Sequence, residues 1–309
     1  MNNNIHIAII TDNNYIMQTY IMLMSLYETK SLDTQYIIHI LGYQLNNKNI
    51  NLLKQLEYKQ FEIEIINQQE IKIKDLSNKF ISNYSPAIFL KMEIDNILKT
   101  CSKVLYLDSD IIIKQDLKNL YNIDITDKYL AAVKDIYPNI YHFKNNKKIY
   151  SNYFNVGMML LNLDLIRKDR FFKNFQNEYI TNGKNYYFPE QDAINNIIPN
   201  NKILLVSPIF NWITSNKLYT KRQLQLFYKK QNIQEKNIAI IHYAGLKPWL
   251  DDSVYYARHW NYYYEKSLFY DNNLKRKHKY NFITVLYLYI KNQIKIKRNK
   301  RLYKSVGII

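Results

Sequence analysis

The chain has 309 residues, 47% of them hydrophobic, enough to bury one large α/β domain with at most a small appendage. Five glycines leave no room for a Gly-rich phosphate loop of the P-loop or dinucleotide kind, and one cysteine, Cys101, excludes an intrachain disulfide and a Cys-based zinc site. The net charge of +17 invites a nucleic-acid partner, but eleven of those charges come from residues 272–309, which carry eleven Lys or Arg and no Asp or Glu.

Met1-Asn2-Asn3-Asn4 runs directly into an apolar strand with no charged and apolar leader, so no signal peptide is expected and the cytoplasm is the expected compartment. Residues 5–10 read as a first buried strand ending at Thr11-Asp12-Asn13-Asn14-Tyr15. The Asx cluster suits a helix N-cap, and a helix is expected through Glu28 with Met17, Tyr20, Ile21, Met24 and Leu26 as its apolar face. Strands over 36–41 and 61–66, with helix over 50–56 between them, imply a parallel sheet. Ser85-Pro86 opens another helix with a cap residue and Pro at its first position. Lys91 lies one and a half turns into it and, from the residues alone, reads as an exposed surface lysine. Cys101 falls where a helix ends before the next strand and reads as a packing residue.

The most informative stretch is Val104-Leu105-Tyr106-Leu107-Asp108-Ser109-Asp110, followed by three isoleucines. The apolar run is a strand buried on both faces, as in a parallel sheet. A buried strand does not end in two carboxylates without compensation. Alternate residues of an extended chain point the same way, so Asp108 and Asp110 can offer oxygens to one centre. At the carboxyl edge of a parallel sheet that centre is a hard divalent cation. An isolated D-x-D is most often two solvated aspartates, so the segments that follow have to support the metal reading.

A strand over 130–133 comes next, then a polar, basic stretch over 134–151 expected to be a mobile loop. Tyr153-Phe154-Asn155-Val156-Gly157 leads into another apolar strand; Gly157 permits close backbone approach and Asn155 offers both donor and acceptor. Phe188-Pro189-Glu190-Gln191-Asp192 opens a helix whose acids suit the macrodipole. Strands over 203–206 and 237–241 follow, the second ending in His242-Tyr243-Ala244-Gly245-Leu246-Lys247-Pro248-Trp249. An aromatic helix over 257–268 reads as packing on the sheet's flank.

Taken in order, Leu105–Asp110 with Asp116-Leu117, Phe154-Asn155-Val156-Gly157, Glu190-Gln191-Asp192 and His242-Tyr243-Ala244-Gly245 with Lys247-Pro248-Trp249 resemble the family 8 glycosyltransferases. These are retaining enzymes of the GT-A fold, among them bacterial lipooligosaccharide galactosyl- and glucosyltransferases. The resemblance implies an α/β, Rossmann-like, mixed but mainly parallel sheet flanked by helices. It implies that Asp108, Asp110 and His242 bind Mn²⁺ or Mg²⁺, with Ser109 between the aspartates in the donor site. Ile10, Asp12 and Asn14 would take uridine, and Gly245 and Lys247 the pyrophosphate of UDP-galactose or UDP-glucose. Asn155 and Gly157 would lie against the sugar. Glu190 and Asp192 would hold its hydroxyls, and Gln191 would sit near the anomeric carbon. Lys91 stands where the family usually carries an arginine that reaches the donor phosphates; it keeps the charge and loses bidentate geometry. The implied acceptor is a glycan or lipid-linked glycan, with a protein or other non-lipid acceptor as the nearer alternative. A basic nucleic-acid-binding protein is the alternative of another class, and charge gathered in one tail weighs against it.

On this reading residues 1–271 form the catalytic domain and 272–309 a basic, amphipathic tail. Ile283, Leu286, Tyr287, Ile290 and Ile294 fall at helical spacing, with Lys275-Arg276-Lys277 before them and Lys295, Lys297, Arg298, Lys300, Arg301 and Lys304 around and after the end. The apolar run over 282–290 is too short for a bilayer, which needs about twenty residues. A basic helix of this kind suits the surface of an anionic membrane, and the expected location is the inner face of the cytoplasmic membrane. Each cation near such a surface contributes on the order of 1 kcal/mol. Ending the chain after Asn272 is therefore expected to abolish pelleting with phosphatidylglycerol vesicles at low salt while sparing hydrolysis of the donor. Equal pelleting of the full and shortened chains would rule the tail out as the anchor.

Overall fold

The computed structural model describes residues 4–70, 85–135, 152–214, 229, 232–252 and 254–272. The loop expected over 134–151, beyond Lys134 and Asp135, and the amphipathic helix expected over 280–296 lie outside the described residues.

The strands are β1 (Asn4–Asp12), β2 (Gln35–Tyr43), β3 (Phe61–Gln68), β4 (Lys103–Leu107), β5 (Ile111–Ile113), β6 (Leu130–Lys134), β7 (Phe154–Asn162), β8 (Ile203–Val206), β9 (Trp212–Ile213) and β10 (Ile240–His242). Seven of them form one sheet in the order β3-β2-β1-β4-β7-β6-β8. The pairs β3-β2, β2-β1, β1-β4 and β6-β8 are parallel, while β7 runs antiparallel between β4 and β6. The sheet is therefore mixed and mainly parallel, as the strand–helix alternation predicts. Its central strands bury both faces: Ile7, Ala8 and Ile9 of β1 and Val104, Leu105 and Leu107 of β4 are fully enclosed. That burial is why these strands read as continuous apolar runs rather than alternating ones.

A second, three-stranded sheet has the order β5-β10-β9. The chain crosses from the first sheet to the second at Asp108–Asp110. Leu107 still pairs with Met158 of β7, Asp108 N donates to Gly157 O at 2.8 Å, and Ile111 already pairs with His242 of β10. The three isoleucines thus do not prolong β4; they begin the small sheet, and the two aspartates occupy the bend between sheets.

The helix Ile16–Glu28 follows a turn over Asn13–Tyr15 that Asp12 caps through Oδ1, accepting from Asn14 N at 2.8 Å and Tyr15 N at 3.2 Å. The helix is buried almost all round instead of along one face, because it packs against β1, against β5 and against the helix Ala257–Lys266. Among its enclosed polar groups, Ser25 Oγ donates to Met22 O at 2.6 Å and accepts from Ile113 N at 3.0 Å, tying the helix to the small sheet, while Gln18 Oε1 has no partner among the described residues.

Pro86–Glu93 is a 3₁₀ helix, capped by Ser85 Oγ accepting from Ala87 N at 3.2 Å. Its tighter winding turns Lys91 inward, where it is 2% exposed. The surface-lysine reading of Lys91 is therefore overturned.

Candidate active site

The bend after β4 and the end of β10 bring three side chains to one point. Asp108 Oδ2 lies 3.8 Å and Asp110 Oδ1 3.2 Å from His242 Nε2, and one ligand atom from each of the three falls within 4.8 Å of the others. The remaining carboxylate oxygens are held from outside. Asp110 Oδ2 accepts from Lys247 Nζ, which also donates to Tyr243 O at 2.7 Å. Asp108 Oδ1 accepts from Tyr106 OH at 2.5 Å and faces Lys91 Nζ at 3.4 Å. Each aspartate thus has one oxygen anchored and the other turned to the shared point.

Electrostatics follow from this packing. Burial pushes the Asp110 carboxyl up, but Lys247 and His242 outweigh it and hold Asp110 well below the usual carboxylate range. Burial alone would lower Lys247 and Lys91; Asp110 raises the first, and Asp108 with Glu190 raises the second, so both stay charged. Lys91 also bonds Glu190 Oε1 at 2.7 Å and lies over the Tyr106 ring. Burial raises the Glu190 carboxyl against the pull of Lys91.

Behind these charges runs a chain of side-chain hydrogen bonds. His242 Nδ1 meets Asn211 Oδ1 at 2.9 Å, and Asn211 Nδ2 donates to Asn155 Oδ1 at 2.9 Å. Asn155 Nδ2 donates to Gln191 Oε1 at 3.1 Å and to Asp135 Oδ2 at 3.2 Å. Gln191 Nε2 donates to the same Asp135 oxygen at 3.2 Å, and its Oε1 also accepts from Val156 N at 3.2 Å. From the sequence, Asp135, Tyr106 and Asn211 carry no role; no spacing rule links Asp135 to Asn155 and Gln191, or Asn211 to His242, so far apart along the chain.

An open cleft of about 350 Å³ lies over this edge. Ile10, Asp12, Lys91, Asp108, Ser109, Asp110, Asn155, Gly157, Glu190, Gln191 and His242 all border it. Ser109 Oγ donates to Ile10 O at 3.0 Å and lies 3.2 Å from Thr19 Oγ1, which fixes the bend against β1 and the first helix. Four expected residues are placed differently. Asn14 is exposed on its turn, and Gly245 is exposed beside Thr214 O. Lys247 acts on the site from behind Asp110 and does not border the cleft. Asp192 is fully enclosed: Oδ1 accepts from Tyr153 OH at 2.5 Å, and Oδ2 accepts from Tyr187 N and Phe188 N, both at 3.1 Å. It closes the start of the helix Pro189–Ile197 from within, so the structure gives it a capping place and not a sugar-facing one.

Residues 6–253 match the family described as Glycosyl transferase family 8. The chain belongs to that family. A Haemophilus influenzae glycosyltransferase is 30% identical over 174 residues, 54% of this chain and 49% of its own, so this chain spans about half the length of that relative. The lipopolysaccharide 1,2-glucosyltransferase of Escherichia coli is 27% identical over 258 residues, 79% of this chain and 73% of its own. Among solved structures, galactosyltransferase LgtC with donor and acceptor sugar analogs superposes with a TM-score of 0.69 at 21% identity, covering 87% of this chain and 98% of that one. The fold is thus the GT-A fold of a family 8 glycosyltransferase.

Gly157 gives a test of the site's geometry. A Cβ there would lie 2.3 Å from His242 Cε1 and 2.7 Å from Asp108 Oδ2, so both must move. Gly157→Ala is expected to weaken binding of a divalent cation by at least about tenfold while the protein stays folded. Calorimetric titration with Mn²⁺, alongside thermal unfolding, measures both; unchanged affinity would refute the crowding.

Proposed function

We propose that this glycosyltransferase moves galactose or glucose from a UDP-sugar to a glycan acceptor of bacterial lipooligosaccharide, lipopolysaccharide or another surface polysaccharide, with retention of configuration and with Mn²⁺ or Mg²⁺ at Asp108, Asp110 and His242. The observation that carries this reading is the convergence of two carboxylate oxygens and one imidazole nitrogen on a single point at the edge of a nucleotide-sized cleft. The donor set fits such a cation: octahedral ligands at ~2.1 Å stand ~3 Å apart when adjacent, close to the 3.2 Å between Asp110 and His242. Gly157 leaves the space that a Cβ would fill.

A cation bound there supplies Lewis-acid stabilisation of the charge that develops on the departing diphosphate. The protein's own groups do the rest. Ile10 and Asp12, with Asn14 beside them on the turn, take the uridine end. Lys91 and Lys247 add fixed positive charge near the diphosphate, and Gly245 leaves its approach open. Glu190 Oε2 is buried and has no hydrogen-bond partner among the described residues, so it can accept from a hydroxyl of the sugar. Asn155 and Gly157 form the wall against which the sugar lies. Gln191 Oε1 already accepts two hydrogen bonds, which makes a weak nucleophile weaker. Front-face transfer, in which the acceptor hydroxyl gives its proton to the leaving phosphate, therefore suits this site better than a covalent glycosyl-enzyme. The basic tail would hold the enzyme at the cytoplasmic face of an anionic membrane, beside a lipid-linked acceptor.

Asp110→Asn and His242→Ala are each expected to lower transfer on the order of 10²-fold or more, with unfolding transitions retained. Release of UDP from UDP-sugars across a Mn²⁺ titration reads this directly; full activity with a chelator present would sink the metal reading. Gln191→Ala is expected to slow transfer only about tenfold, because the amide supports charge without forming a bond. Mass spectrometry of Gln191→Glu with donor is the sharper probe: a sugar attached at position 191 that turns over competently would favour double displacement.

A further inference from the structure

A second cluster lies far from the cleft, near the start of β1. His6 on β1, His39 on β2 and Cys101 just before β4 face one another across the sheet. His6 Nδ1 lies 2.9 Å from His39 Nε2, and Cys101 Sγ lies 3.7 Å from each of these nitrogens. Cys101 and His39 are buried, at 6% and 4% exposure, while His6 is half-buried and opens toward solvent. His6 precedes Asp12 by six residues on the same strand, so the cluster is ~20 Å from the donor cleft.

We propose that His6, His39 and Cys101 bind one zinc-class cation, a site separate from the catalytic one. The spacing suits such an ion. With Zn–N at ~2.0–2.1 Å and Zn–S at ~2.3 Å, tetrahedral N···S edges are ~3.5 Å and the N···N edge ~3.3 Å. The two observed N···S distances of 3.7 Å are close to that; the imidazoles, now aimed at each other with ring centroids 5.2 Å apart, must part by ~0.4 Å and turn out of line so that both nitrogens meet one ion. The half-buried side of His6 leaves the fourth position to water. His39 is also oriented from behind: its Nδ1 meets Glu64 Oε2 at 2.7 Å, across the β2–β3 register that pairs His39 with Glu64. A carboxylate on the distal nitrogen is the usual support of a metal-bound imidazole, and it leaves the His39 Nε2 lone pair facing the cluster.

A cation that enters would displace the thiol proton, so that the thiolate and both ring nitrogens share one centre. A multi-cysteine zinc site is excluded by composition, but one thiol with two imidazoles is a different donor set, assembled from residues 95 and 62 positions apart.

The test is titration of the reduced full-length chain with Co²⁺ and then Zn²⁺. Cys101 is the only cysteine, and the Asp108–Asp110–His242 centre contains no sulfur, so thiolate-to-cobalt charge-transfer absorption reports on this site alone. The expected result is a band that saturates at one equivalent, is bleached by Zn²⁺ and is lost in Cys101→Ser. His39→Gln is expected to weaken binding by at least about tenfold and Glu64→Gln by about 10- to 100-fold. The Glu64 side chain is 58% exposed, so the second variant leaves the core untouched should the others fail to fold. Absence of the band at saturating cobalt, with the thiol shown to be reduced, would overturn the proposal. So would a band of unchanged affinity in Glu64→Gln and His39→Gln, which would mean that the thiol binds cobalt unaided.

Discussion

Two carboxylates at the end of a buried strand are the constraint on which the active edge depends. Asp108 and Asp110 follow four fully or nearly enclosed residues of β4, and their side chains are only partly open to solvent. Charges in that position are very costly unless each is paired and hydrogen-bonded. The partners come from three separate parts of the chain: Lys91 from the 3₁₀ helix before β4, His242 from the end of β10, and Lys247 from the loop after it. Each is brought to the same edge by its own element, His242 by the small sheet. β5 and β10 are three residues long, too short to be stable alone, yet their pairing sets His242 opposite Ile111, one residue past the bend. The same arrangement divides labour between the oxygens. Those bound to lysine neutralise the buried charge within the protein, and those facing inward keep charge for a ligand.

The parts of this arrangement that are legible in the sequence are the ones with a local signature. Strands β1, β2, β3, β4, β7 and β8 announce themselves as apolar runs, and Asp12 as a cap does so by its neighbours. The aspartates and His242 stand out because each ends an apolar run in a polar, ligating residue. Pairings are another matter. Lys91 reads as a surface residue because its partners lie 17 and 99 positions away. Asp192 shares a helix start with Glu190, and only the fold shows that one faces inward to backbone amides while the other faces the cleft. Asp135 follows β6 with no motif around it, and its part in the site comes entirely from Asn155 and Gln191. Cys101 reads as packing for the same reason: neither histidine is near it in the chain.

The amide chain behind the aspartates fixes the orientation of the imidazole, and two backbone groups decide its direction. A backbone N–H only donates, so Val156 N identifies the oxygen of Gln191, and Gly157 N at 2.9 Å identifies the oxygen of Asn155. Gln191 and Asn155 must then both turn their NH₂ groups toward Asp135, which as a carboxylate only accepts. Since Asn155 shows its oxygen to Asn211, Asn211 must donate, which leaves its own oxygen for His242 Nδ1. Nδ1 therefore carries a hydrogen, and Nε2 is the nitrogen that faces Asp108 and Asp110. Every hydrogen bond from the imidazole to Asp135 runs in one sense, so no amide can flip without leaving two like groups face to face. The imidazole of the proposed cation site is in this way oriented by residues that lie outside that site. Because Gln191 belongs to the same chain of bonds, the side of the cleft at Asn155 and Gln191 and the imidazole at its edge are set by one network rather than two.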